Sequence, residues 1–163
     1  MSEEPVSGAV PDAHATEGWQ AVMADMTATA ETYRDRGWTV LEVHPGDSVL
    51  VDSAARTGLD VVLPGPEYEE LEAVAAECAF TAVETYRAEA DGLVYLLIVE
   101  RDPENETAVL VPAYYDPGGS EPKVDAIRES GEFTLFCRRL NDEYVLFVHT
   151  DVAPFLPGGL ADE

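Results

Sequence analysis

The chain has 163 residues, enough for one domain with or without tails, and 33 Asp and Glu against nine Lys and Arg give a formal charge of −24. A folded body of this mass exposes roughly 8,000 Å², or about one carboxylate per 240 Å². That leaves too few cations to replace phosphate counterions on a nucleic acid or to bind an anionic membrane. The longest apolar run, Leu93 to Val99, is seven residues, far short of the ~18 that would cross a bilayer.

Residues 1–15 carry Pro5, Gly8 and Pro11 without periodicity and read as an N-terminal tail before a domain over 16–156. The start, Met1-Ser2-Glu3-Glu4, lacks the basic and apolar regions of a signal peptide, so a cytoplasmic protein is expected. Two cysteines, Cys78 and Cys137, form no disulfide framework. Thr16 can cap a helix in which Trp19, Val22, Met23, Met26, Ala30 and Tyr33 make one apolar stripe, ended by Gly37. At Trp38 the period changes to two. A strand runs to a turn at His44-Pro45-Gly46-Asp47 and returns through Ser48 to Val51. Arg56 to Gly58 read as a loop and Leu59 to Leu63 as a short strand. Gly65-Pro66 then opens a second helix with Tyr68, Leu71, Ala75 and Cys78 on one side.

A β-meander follows. Phe80 to Ala88 turns at Asp91-Gly92 into Leu93 to Arg101, whose unbroken apolar run implies burial on both faces. A turn at Asp102 to Asn105 leads to a strand over Ala108 to Tyr115, where Pro112 calls for an edge position or a bulge. Ser120 to Ser130 suits a short helix with Val124 and Ile127 inward. A hairpin from Glu132 to Leu140 and Glu143 to His149 turns at Asn141-Asp142, and Pro154, Pro157, Gly158 and Gly159 mark a tail over 157–163. The expected fold class is α+β: one antiparallel sheet of six or seven strands with two main helices packed on one face.

With 46% hydrophobic residues in periodic order, the charge belongs on the outside of a folded body, not in a disordered one. Molar salt shortens the screening length to about 3 Å and would quiet the repulsion. Eight arginines and a single lysine, Lys123, fit the same setting. The acid excess and lysine shortage resemble cytoplasmic proteins of salt-in haloarchaea. More narrowly, Tyr33 to Leu41, Val43 to Asp47, Arg101-Asp102-Pro103 and Thr107 to Leu110 are similar to segments of an uncharacterised family of small haloarchaeal proteins, over residues 16 to 156. That resemblance implies an origin and a compartment, and supplies no activity.

Catalytic motifs are missing: no Gly-x-Ser-x-Gly elbow, phosphate loop, dinucleotide fingerprint, EF-hand or His-Glu-x-x-His helix occurs. No catalytic, cofactor or metal residue is therefore assigned. Asp47, Asp52 and Asp60 with His44 offer hard ligands, but solvated turns are the ordinary reading where one residue in five is acidic. His44 and His149 are placed to meet at one sheet edge, His149 beside Asp151, where an acid can orient an imidazole as a general base. Arg101, Arg138 and Arg139 offer an anion or a partner carboxylate a contact, with pairing to the protein's own acids as the plain alternative. Tyr114 and Tyr115 suggest an aromatic rim at a strand end. The preferred expectation is a non-enzymatic binding domain that contacts a protein or a small anionic ligand through the sheet rim, as a monomer or weak homodimer. The alternatives are a small metal-dependent hydrolase using acids near His44 and His149, and an acidic mimic of DNA.

Overall fold

The computed structural model describes residues 17–53, 56–90, 92–139 and 143–157. The apolar run at the centre of the chain sets the architecture. Strand β5 (Leu93–Asp102) is buried at nine of its ten residues. Its odd positions Leu93, Tyr95, Leu97 and Val99 lie in one apolar cluster, and its even positions Val94, Leu96 and Ile98 in another. A strand that is apolar on both sides must be a shared wall between two cores.

Helix α1 (Glu17–Asp35) supplies the first core, burying Trp19, Val22, Met26, Ala30 and Tyr33 against the odd face. Gly18 allows the close approach: a Cβ there would overlap the Tyr95 ring at 2.3 Å. The sheet beneath α1 has the order β1 (Thr39–Glu42), β6 (Thr107–Tyr115), β5, β4 (Ala82–Ala90). β4, β5 and β6 form the expected antiparallel meander, whereas β1 joins β6 in parallel.

The second sheet has the order β2 (Asp47–Asp52), β3 (Thr57–Val62), β7 (Phe133–Arg138), β8 (Tyr144–His149). Two hairpin-type pairs, β2 with β3 and β7 with β8, are joined by a parallel contact between β3 and β7. Its inward residues Leu50, Leu59, Val61, Phe133, Leu135, Cys137 and Phe147 meet the even face of β5. Helices α2 (Gly65–Glu77) and α3 (Glu121–Ser130) add Tyr68, Leu71, Val124 and Ile127 to that same core. Gly131, at φ 74°, ends α3 in the left-handed conformation and donates its N–H to the Ile127 carbonyl.

The chain is therefore α+β, but the single antiparallel sheet is corrected to two mixed four-stranded sheets, and the helices do not share one face. Pro112 sits in an interior strand without a bulge; β1 ends opposite Leu110, so Pro112 borders no strand on that side. The expected loop at Arg56 to Gly58 is mostly strand. Gly58 has φ 150°, and a Cβ there would meet the Thr134 carbonyl oxygen at 2.0 Å, so the parallel contact needs glycine. Pro154 lies in packed structure. A 3₁₀ turn (Ala153–Phe155) carries Phe155 and Leu156 into the core with no exposed surface, and Phe155 stacks on Phe133 at 4.1 Å. The proposed tails at 1–15 and beyond Pro157, and the turn at Asn141-Asp142, lie outside the described residues. Among the described residues, no helix is long and apolar enough to cross a membrane.

Candidate functional site

The two sheets close on each other at one side and part at the other. At the closed side Ser48 Oγ donates to the Tyr114 carbonyl at 2.7 Å and accepts the Tyr114 N–H at 3.2 Å, bridging β2 to β6. At the open side, β4 and β8 leave a cleft of about 390 Å³. Phe80, Val83 and Thr85 line one wall and Val148, His149 and Asp151 the other, with Pro154 and Phe155 across the end.

Strand parity explains what faces the cleft. In register with Glu100 and Ile98, Val83 and Thr85 point between the sheets, while Glu84 points to α1, where it accepts the Tyr33 hydroxyl at 3.0 Å. Burial, and then this contact, push the Tyr33 phenol up to about 12. Continuing the even face of β5 past Ile98 puts Glu100 inside, 1% exposed. Its Oε2 lies 2.7 Å from Nε2 of His149, whose side chain is 10% exposed. Burial raises the Glu100 carboxyl above the usual carboxylate range, and the hydrogen bond from His149 offsets part of that rise.

The pair shares one proton position on the Nε2 side. Which of Oε2 and Nε2 carries that proton fixes which one donates. The ring is also fixed by Phe155, 5.1 Å between centroids. On the opposite wall, the Thr85 hydroxyl is buried and has no hydrogen-bond partner among the described residues. Such a group costs free energy until something pairs with it.

The end wall is held by side chains that reach its main chain. Arg87 Nη1 donates to the carbonyls of Ala153 at 3.0 Å and Leu156 at 2.6 Å. The Tyr115 hydroxyl donates to the Phe155 carbonyl at 2.7 Å, and Arg128 Nη2 to the Pro157 carbonyl at 2.7 Å.

The other residues singled out from sequence are dispersed. His44 does not approach His149. It follows β1, and Glu67 near the start of α2 takes both its main-chain N–H at 2.6 Å and its Nδ1 at 2.7 Å. His149 pairs with Glu100, not with its neighbour Asp151. Arg139 shares a shallow groove with His44, but it lies over the Tyr68 ring and bonds Glu143 at 2.8 Å and Glu69 at 3.3 Å. Arg138 is on the outer face of the second sheet, where its Nε bonds Asp60 Oδ1 at 2.8 Å and Arg56 bonds Oδ2 at 2.6 Å. Asp60 is thus a buried counter-ion for two arginines, separate from His44. Arg101 belongs to the other sheet, against Tyr33 and Trp38 with Glu84 at 3.9 Å, so it does not join Arg138 or Arg139. Tyr114 packs edge-on against Trp19, and Tyr115 is a core residue, which replaces the expected aromatic rim. Cys78 is half-buried at the end of α2, and burial in the second sheet pushes the Cys137 thiol far up, which keeps it from acting as a nucleophile near neutral pH.

Glu100 and Thr85 are the residues that the sequence reading overlooked. Counting in twos from Ile98 reaches Glu100, and a Thr opposite an inward Ile would have marked Thr85. No curated protein and no solved structure matches the chain. A profile for a family of unknown function matches residues 8–157, nearly the full length, and on that match the chain belongs to the family DUF7529.

Proposed function

We propose that this is a cytoplasmic, non-enzymatic binding domain whose ligand site is the cleft between β4 and β8, set in an acidic body suited to molar salt. The observation that carries the reading is the cleft itself, about 390 Å³ and large enough for a small molecule, with Phe80, Val83, Thr85 and His149 along its walls. In this reading His149 meets a polar group of the ligand, and Phe80 and Val83 receive an apolar portion. Arg101, Arg138 and Arg139 are each engaged with acids in different places, so the ligand is a neutral or zwitterionic polar molecule of a few heavy atoms, not a simple anion.

The test combines stability and binding. Thr85→Val keeps the shape and removes the unsatisfied hydroxyl, so the free protein gains stability, about 1 kcal/mol or more. A small-metabolite screen by NMR in molar KCl should find ligands that shift cleft resonances, and Val83→Trp, which fills the cleft, should weaken them tenfold or more. Ligands that bind the Trp variant as well as the native chain would refute the site.

A second reading is favoured by one specific contact. A histidine that lines a cleft and is held by a buried carboxylate through one ring nitrogen is the arrangement of an oriented general base. Turnover of an ester or amide panel that follows a pH profile and disappears in Glu100→Gln would establish it.

A further inference from the structure

In a chain with 33 Asp and Glu a cation finds an acceptor easily. Seven of the nine Lys and Arg side chains donate a hydrogen bond of 3.0 Å or less to a carboxylate or a main-chain carbonyl. Arg36 and Arg101 are the other two, and they meet at one ring. Arg36 follows the last residue of α1, in the turn where its N–H and that of Trp38 both go to the Tyr33 carbonyl at 3.0 Å. Its guanidinium lies over the Tyr33 ring, 5.6 Å from the centroid. Arg101, on the odd face of β5, lies over the same ring at 5.9 Å and over Trp38 at 5.6 Å. Among the described residues, the exposed Arg36 side chain makes no hydrogen bond or ion pair. Arg101 has Glu84 at 3.9 Å from its Nη1, the outer limit of an ion pair, and its buried Nε has no hydrogen-bond partner among the described residues.

Tyr86 shares the α1 side of β4 with Glu84 and is 48% exposed. Burial and then Glu84 raise its phenol, and the charges of Arg101 and Arg36 both oppose that rise, so both guanidinium groups act on this one side chain. Glu84 is the acid of the group, and one of its oxygens is taken by two phenols, Tyr33 at 3.0 Å and Tyr86 at 3.2 Å. It balances one of the two cations and leaves a local positive surplus in a chain of −24. In molar salt the screening length is about 3 Å, so acids elsewhere on the surface do not cancel that surplus.

We propose that Arg36 and Arg101 bind the phosphate of a small phosphate monoester, with the open Tyr86 ring against its organic portion. Such a phosphate brings three terminal oxygens and a charge of about −1.5 to −2. A guanidinium fork matches those oxygens in pairs. The site is on the α1 side of β4, opposite the cleft, and does not rest on the cleft reading.

The probes are phenyl phosphate and its two halves, phenol and inorganic phosphate. Each is titrated into the full chain in molar KCl and followed by NMR of the arginine side chains and the Tyr86 ring. Phenyl phosphate should shift both saturably with a midpoint of about 1–10 mM, inorganic phosphate more weakly, and phenol not at all. Arg36→Gln should weaken phenyl phosphate about tenfold or more, with an unchanged circular dichroism spectrum. Arg34→Gln removes the same charge from the same helix end, but from a side chain that Glu42 already holds at 2.8 Å, and should leave the midpoint within about twofold. No saturable shift up to about 50 mM, or an equal response to phenol, overturns the proposal. So does a midpoint that Arg36→Gln leaves unchanged or that Arg34→Gln weakens as much. Inorganic phosphate binding as tightly as phenyl phosphate overturns the part given to Tyr86.

Discussion

His149→Phe isolates the contact at the heart of the cleft. Phenylalanine keeps a ring against Phe155 but removes Nε2, so Glu100, 1% exposed, loses the hydrogen bond that it has at 2.7 Å. A buried carboxylate without its partner costs about 3–5 kcal/mol. In a domain of this size each kcal/mol moves the melting midpoint by about 2–4 °C, so a loss near 10 °C is expected at pH 8. Protonation offers the variant an escape. Burial already raises Glu100 in the folded state, and removing His149 removes what holds that rise back. The folded variant therefore binds this proton at higher pH than both the native fold and the unfolded chain. Its stability relative to the native protein improves as pH falls through the raised value, by up to about 1.4 kcal/mol per pH unit. Guanidinium unfolding in molar KCl at pH 8 and pH 5, followed by Trp19 and Trp38 fluorescence, measures the deficit. A deficit equal at both values, or larger at pH 5, would refute the argument that an uncompensated charge is its source.

Three further outcomes are expected. Gly58→Ala should cost about 3–4 kcal/mol, because its Cβ would strike the main chain of Thr134 in the β3–β7 contact; a thermal midpoint within 3 °C of native would contradict that clash. Asp60→Asn should cost about 2 kcal/mol, a value below the fully buried case because Arg56 and Arg138 retain 34% and 24% exposure; urea unfolding gives the number, and no loss would show that the arginines find water instead. Lowering KCl from 2 M to below ~0.2 M should loosen the fold as screening of the −24 charge weakens. Equal unfolding midpoints across that range would remove salt adaptation from the account.

Local chemistry made much of this fold legible. The seven-residue apolar run announced β5 as a two-faced central strand, the stripe from Trp19 to Tyr33 announced α1, and Asp-Gly and Asp-Pro turns marked the meander. The division into two sheets was not legible, because it rests on the parallel contacts β1–β6 and β3–β7. Those partners are separated by dozens of residues, and no turn residue signals such a pairing. An interior Gly58 was the one local hint: glycine inside a strand permits close backbone approach. The site was half legible. His149 attracted attention as one of three histidines, but its partner came from a strand in the opposite sheet, and sequence proximity pointed wrongly to Asp151. The scarce arginines stand out by their rarity, but Arg101, Arg138 and Arg139 each meet an acid of the chain itself.

The Arg87 guanidinium has a consequence for how the cleft behaves as ionic strength changes. Most cations of this chain face carboxylates, and such attractions fade as mobile ions crowd in. Arg87 grips two peptide oxygens instead, which are dipoles without net charge. That latch keeps its grip from dilute buffer to brine, so the end wall stays in place while the acidic exterior tightens and relaxes around it.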